Sequence, residues 1–299
     1  MNLKDLKYLV ALGEHQHFGK AATACFVSQP ALSMQIKKLE ETLGVQLLER
    51  TNKSVMLTES GISIIQYAKQ VLSQVDEIHE IAKLSKDPYA GELKIGIFPT
   101  LAPYLLPHIM PGLSKKFPKL SFYLIEQQSK VLLEQLKNGE LHAIFLALPI
   151  AETNLKIQPL FNEEFFLCAS NKHALANKKN IQEKDLSEQN ILLLDEGHCM
   201  RDQALSYCHR IQVKETQSFR ATSLETLRHM VSAQVGVTLV PKLACTENAN
   251  LAYIPFKEAK PMRSIGLVWR ASTAKQLLLG EIGDCIKDLL RNGKQVEVI

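Results

Sequence analysis

Apolar residues recur along the chain in three successive rhythms, and each rhythm predicts a different kind of element. Between Phe18 and Leu43 the pattern is helix, tight turn, helix. Phe18, Ala21 and Ala22 offer an apolar side with small residues where two helices can cross closely, and the turn falls at Phe26 to Ser28. Ser28 suits an N-cap, Pro30 sits in the first helical turn where its missing N–H costs nothing, and Val27 can staple to Leu32. The stripe Leu32, Ile36, Leu39 and Leu43 marks the core side, leaving Pro30, Ser33, Met34, Lys37 and Lys38 pointing outward. Leu47 to Arg50, a polar turn over Thr51 to Ser54, and Val55 to Thr58 then read as a strand pair, or wing.

From the N-cap candidate Thr58, residues 59 to about 85 contain no proline and no glycine after Gly61. Ile64, Ala68, Val71, Val75, Ile78 and Ala82 alternate spacings of four and three, the seam of a coiled coil. Self-association through that seam competes with packing of the helix on its own domain. Lys86 to Gly91 breaks the helix as a hinge. Beyond it, strands alternate with helices: Leu93–Phe98, Ala102–Phe117, Ser121–Glu126, Ser129–Lys137 and Ala143–Leu148 predict an α/β unit with a parallel sheet. A second set has strands near Glu164–Ser170, Ile191–Leu194, Val237–Val240 and Leu251–Pro255, before Ile265–Arg270 and a final helix from about Thr273, so two lobes are expected. Within it Thr222 and Glu225 suggest a capping box ahead of a helix that Gly236 ends. Thr100 and Ser129 each follow a strand and precede a helix, where open α/β sheets bind ligands; both are also ordinary helix caps by residue type.

Composition adds only bounds. The 299 residues are 46% hydrophobic and 22% charged, which excludes a disordered or fibrous chain. A net charge of +4 permits a nucleic-acid partner without requiring one. The longest apolar run, Ala143 to Ala151, is broken by Pro149 and is far below the ~20 residues of a membrane span. With only Tyr8 to Leu12 as an apolar stretch near the start, export is not expected. Six cysteines are too few for a disulfide scaffold, so any disulfide would be transient and regulatory.

The densest chemistry lies in Asp195 to His209. The segment follows the apolar strand Ile191–Leu194 and is expected to open a helix, placing Cys199 near helix-terminal amides with His198 and Arg201 beside it in sequence. Each feature favours the thiolate, which attacks a peroxide oxygen to give a sulfenic acid that a second thiol, here Cys208, can resolve. A buried structural role for Cys199 remains the competing reading; Cys25, Cys168, Cys245 and Cys285 sit among apolar residues and read as structural. Zinc held by His198, Cys199, Cys208 and His209 is disfavoured because adjacent residues in a helix or strand point apart, so no metal is expected. A cysteine hydrolase using Cys199 and Asp202 lacks the family signatures, and no glycine-rich phosphate loop is present.

Phe18-Gly19-Lys20-Ala21-Ala22, Val27-Ser28-Gln29-Pro30-Ala31-Leu32-Ser33, Lys38-Leu39-Glu40, Leu43-Gly44 and Leu47-Leu48-Glu49-Arg50 resemble the winged helix-turn-helix of LysR-type transcriptional regulators. Gly197-His198-Cys199 through Cys208, with Phe219 to Leu227, is similar to the OxyR-type hydrogen-peroxide sensors of that family. The resemblance implies an α/β fold with an N-terminal winged helix-turn-helix (1–58), a dimerisation linker helix (59–87) and a two-lobed sensor domain of periplasmic-binding-protein type (88–299; lobe I about 92–162 and 266–299, lobe II about 163–265). It implies Cys199 as the peroxide-reacting thiol, Cys208 as its resolving partner, and Thr100, Ser129, His198 and Asp202 as peroxide-binding, Ser129 standing where the family commonly has threonine. The expected DNA-facing set is Ser28, Gln29, Pro30, Ser33, Met34, Lys37, Lys38, Arg50 and Lys53. A cytoplasmic dimer of dimers follows, without cofactor or enzymatic turnover, binding promoter DNA and RNA polymerase and taking hydrogen peroxide as its signal. The alternative is a LysR-type regulator sensing a small organic ligand between its lobes. Cys199 and Cys208 are nine residues apart; on one continuous helix that is about 13.5 Å, whereas a disulfide needs α-carbons within about 7 Å, so oxidation should require the segment to rearrange.

Overall fold

Asn2 opens α1 (Leu3–His15) with a complete capping box: its side chain accepts from the N–H groups of Lys4 and Asp5, while the Asp5 carboxylate accepts the Asn2 N–H at 2.8 Å. The computed structural model describes residues 1–50, 55–84, 87–187, 189–195, 200, 215–257, 260–293 and 296–299. The chain divides into two compact units, Met1–Lys86 with Lys137–Glu140, and Asp87–Leu136 with Leu141–Ile299.

In the first unit, α2 (Phe18–Ala24) and α3 (Gln29–Leu43) flank the expected turn. Ser28 caps α3 by accepting the Ala31 N–H, and Gly44, at φ 70°, ends it in the left-handed region. Leu32, Ile36 and Leu39 are buried against Leu9, Leu12, Ala21 and Ala22, so the helical stripe is the core. Strands β1 (Leu48–Arg50) and β2 (Val55–Leu57) pair antiparallel with Leu48 opposite Leu57. Glu40 ties that wing to α3 by accepting the N–H groups of Leu47 at 2.9 Å and Leu48 at 3.3 Å. Thr58 then starts α4 (Glu59–Leu84): its Oγ1 accepts the Gly61 N–H and donates to the Gln46 carbonyl.

Part of the α4 seam packs on the helix's own unit, and part of it is exposed. Ile64 and Ile65 pack into the first unit's core and Ala68 is buried, whereas Val71 and Ile78 are exposed, together with Tyr67 and Ile81.

In the second unit β3 (Gly91–Ile97) pairs parallel with β4 (Leu120–Glu126) and β5 (Ala143–Leu148), with α5 (Ala102–Lys116) and α6 (Ser129–Lys137) as crossovers. The expected parallel pairing does not extend to the strands that continue this sheet. β6 (Leu155–Ser170) and β11 (Met262–Arg270) run antiparallel to each other, and β11 also pairs antiparallel with β5. The physical reason is β6 itself, 16 residues long: its first part pairs with β11 and β12 (Glu297–Val298), and from Phe165 onward it pairs antiparallel with β9 (Thr238–Pro241) and β10 (Leu251–Pro255). One strand thereby serves both lobes. In the second lobe β7 (Ile191–Leu194), fully buried, pairs parallel with β8 (Glu215–Ala221), which leads into α7 (Leu224–Ser232). The last helix is α8 (Gln276–Gly293).

Two local expectations are corrected at α7. Its N-cap is Ser223, which accepts the Glu225 N–H, so Thr222 and Glu225 form no capping box. The Glu225 carboxylate is instead engaged by Tyr104 and Arg228. The helix ends before Gly236, with Gln234 taking the positive φ of 64°. Gly236 is needed for space, because a Cβ there would stand 2.4 Å from the Asn190 carbonyl oxygen.

Candidate functional site

Parallel pairing fixes where the two sequence-predicted hydroxyls stand. Ile97 is opposite Glu126 at the carboxyl ends of β3 and β4, and Gln127 donates its N–H to the Ile97 carbonyl at 3.2 Å. Thr100 and Ser129 each follow their own member of that pair by three residues, so both occupy the same edge of the sheet, where α/β folds bind ligands. Neither residue is a conventional cap. Leu101 occupies the N-cap of α5 without a side-chain bond, and the Ser129 Oγ is buried with no hydrogen-bond partner among the described residues.

Thr100 is buried and held by a residue that the sequence reading passed over. Arg263, near the start of β11, donates from Nη1 to the Thr100 hydroxyl and from Nη2 to its carbonyl, each at 3.2 Å. Its Nε donates to Glu163 Oε2 at 2.7 Å, and the other oxygen of Glu163 accepts the Leu243 N–H at 2.7 Å. Phe98 and Phe165 flank the guanidinium, with ring centroids 5.5 and 5.7 Å from it. Since Arg263 has donors only, the Thr100 oxygen must be the acceptor, which leaves its own proton for a different partner. The available sequence signal was a charge on each of two strands otherwise rich in apolar residues, Glu163 beside Phe161 and Phe165, and Arg263 beside Ile265.

A second network joins the lobes. Tyr104 on α5 donates to Glu225 on α7 at 2.6 Å, Arg228 donates to the same carboxylate oxygen at 2.9 Å, and its other arm reaches Thr246 at 2.6 Å. Burial, then the Glu225 carboxylate, pushes the Tyr104 phenol above its ordinary range and keeps it a donor. Burial also pushes the thiols of Cys168 and Cys245 up to about 12, which agrees with their reading as structural.

His198, Cys199, Asp202 and Cys208 lie outside the described residues, as does Lys53. Of the DNA-facing set, Ser28, Gln29, Pro30, Met34, Lys37 and Lys38 are exposed, and Ser33 is half-buried. Arg50 ends β1. Lys37 makes a surface contact with Glu41, at 4.0 Å. Among the described residues no helix is long and apolar enough to cross a membrane, and no group of three or more His, Cys, Asp or Glu could hold a metal ion.

A winged helix-turn-helix followed by a two-lobed α/β unit, with hydroxyls buried at its strand ends, defines a DNA-binding regulator of transcription whose second unit receives a small signal. Residues 3–62 match the bacterial regulatory helix-turn-helix of the lysR family, and residues 86–291 match the LysR substrate binding domain. The chain belongs to the LysR family, in the branch of the OxyR hydrogen peroxide-inducible genes activators. It is 44% identical over 291 residues to the DNA-binding transcriptional dual regulator OxyR of Escherichia coli K12, covering 96% of this chain and 95% of that protein. Full-length OxyR from Pseudomonas aeruginosa, solved as a cysteine-to-aspartate mutant, is similar with a TM-score of 0.79 and 38% identity, covering 96% of this chain and 95% of that one. A cysteine-to-serine mutant of Corynebacterium glutamicum OxyR with H2O2 bound has a TM-score of 0.67 and 33% identity, covering 97% and 93%.

Proposed function

We propose that this chain activates oxidative-stress genes by sensing hydrogen peroxide through a reversible Cys199–Cys208 disulfide. The observation that carries the reading is the pair of hydroxyls at one sheet edge, Thr100 fixed by Arg263 and Ser129 with a buried oxygen that has no hydrogen-bond partner among the described residues. A buried hydroxyl without a partner costs about 1–3 kcal/mol, and a small polar guest relieves that cost. Support also comes from the H2O2-bound relative.

In this reading Thr100, Ser129, His198 and Asp202 hold the peroxide. The Cys199 thiolate attacks one oxygen; the S–O bond forms, the O–O bond breaks, and the departing hydroxide takes a proton and leaves as water. The Cys208 thiolate then attacks the sulfenic sulfur, forming the S–S bond and releasing a second hydroxide, which is protonated to water. Two thiols lose two electrons and one peroxide becomes two waters. The segment between the cysteines leads into β8 and α7, so its rearrangement would reach the Tyr104–Glu225 link between lobes. The protein would work in the cytoplasm as a dimer of dimers, holding promoter DNA through α3 and the wing and contacting RNA polymerase when oxidised.

Mass spectrometry before and after one equivalent of peroxide tests this. The wild type should lose about 2 Da, Cys208→Ser should gain about 16 Da as a sulfenic acid, and Cys199→Ser should not change. If Cys199 reacts no faster than free cysteine, the signal is a small organic ligand instead.

A further inference from the structure

Phe26 combines two costs that the fold does not recover. It lies in the turn between α2 and α3 at φ 56°, a left-handed conformation that suits glycine or asparagine and that costs a residue with a bulky side chain. Its aromatic ring gains nothing in return, because the residue is 95% exposed. The backbone there is held, the Phe26 N–H donating to the Thr23 carbonyl at 3.1 Å. Met34, on the side of α3 away from Leu32, Ile36 and Leu39, is 67% exposed in the same way. The surface of a helix-turn-helix that meets DNA thus carries two large apolar side chains in water. Net charge adds little over the whole of residues 1 to 58, which hold seven Lys or Arg against five Asp or Glu.

In a helix-turn-helix the first turns of the second helix meet base edges in the major groove. Among the groups that bases present there, the 5-methyl of thymine is the apolar one; the others are hydrogen-bond donors and acceptors. We propose that Phe26 and Met34 are specificity-determining residues that read thymine methyl groups in the operator. This rests on the assignment of the N-terminal unit as the DNA-binding part. It gives a role in base readout to the apolar side chains, beside the exposed Lys37 and Lys38, which suit phosphate contacts.

The test uses the full-length chain and duplexes that it selects from a randomised pool. Thymines fixed by selection are replaced one at a time by uracil, which removes only the methyl. Wild-type affinity should fall about fourfold for each methyl that is read. Phe26→Asn, which suits the left-handed backbone, and Met34→Gln, which keeps a good helix former, should each lose the uracil response at one position. Met34→Gln should keep the wild-type Tm, Phe26→Asn should keep or raise it, and both should keep the slope of affinity against salt. Equal affinity of the wild type for thymine and uracil duplexes would overturn the proposal, as would an undiminished uracil response in both variants. A wild type that selects no duplex would overturn the DNA-binding assignment along with it.

Discussion

The guanidinium of Arg263 meets the carboxylate of Glu163 at 2.7 Å with both side chains wholly excluded from solvent. The two strands they belong to, β11 and β6, pair with Arg263 opposite Glu163, and the same guanidinium holds both the hydroxyl and the carbonyl of Thr100. Structural support and the geometry of the site are therefore one network.

Breaking that network from one side leaves a buried charge without its partner. Glu163→Ala should cost about 3–5 kcal/mol in urea unfolding, because the Arg263 cation and the Leu243 N–H both lose their acceptor. Replacing both partners together, Glu163→Leu with Arg263→Met, should recover most of the stability. It should still slow peroxide oxidation, since Thr100 would be unheld.

The second expectation concerns alkaline pH. Cys168 and Cys245 have folded pKa values of about 12, raised chiefly by burial, against about 8.5 for an unfolded cysteine. A raised folded pKa means that the native state keeps protons which the unfolded chain releases. Their stabilising contribution is complete below about pH 8.5 and is lost progressively as the pH rises towards 12. Unfolding free energy should therefore fall over that window, and Cys168→Ala with Cys245→Ala, the methyl-like residue lacking a titratable group, should flatten the fall. Burial keeps both thiols protonated at pH 8, so neither should be alkylated in the native protein.

Gly61 provides a third test. It sits in the first turn of α4, where a Cβ would lie 2.2 Å from the Leu47 carbonyl oxygen, itself the acceptor of the Thr58 N–H. Backbone has no free end to swing away. Gly61→Ala should cost about 1–3 kcal/mol despite the better helix propensity of alanine, and should weaken DNA binding by loosening the wing. Thermal unfolding with a parallel gel-shift titration measures both; an unchanged Tm would mean that the junction relaxes freely.

What the sequence revealed was what its neighbours decide. The stripe Leu32, Ile36, Leu39 and the caps Ser28 and Thr58 depend on spacings within one or two helical turns, and all are found. Thr100 and Ser129 were visible as residues just past strands. Glu225 was misassigned because its real partner, Tyr104, is 121 residues away, and because Thr222 and Ser223 are adjacent hydroxyls that offer equally good caps. The first half of β6 was missed because Pro159 interrupts its pattern; Pro159 lies opposite Gly266, where the β6–β11 register shifts. Arg263 and Glu163 could be recognised as a pair only once those two strands were side by side.

Replacing Ser129 tests stability and sensing separately. Its Oγ is buried and has no partner among the described residues, none of which offsets its desolvation cost on folding. Ser129→Ala removes that oxygen and only that atom. The resting protein should be as stable as the wild type or more so, with a Tm that is unchanged or raised. If the hydroxyl holds peroxide, the same variant should oxidise at Cys199 more slowly, by about tenfold for the loss of one hydrogen bond of about 1.4 kcal/mol. Ser129→Thr should keep the reaction, because the hydroxyl is retained. Stopped-flow oxidation beside thermal unfolding distinguishes the outcomes: Ser129→Ala with lowered stability and an unchanged oxidation rate would show that the oxygen serves the fold, and would remove Ser129 from the peroxide site.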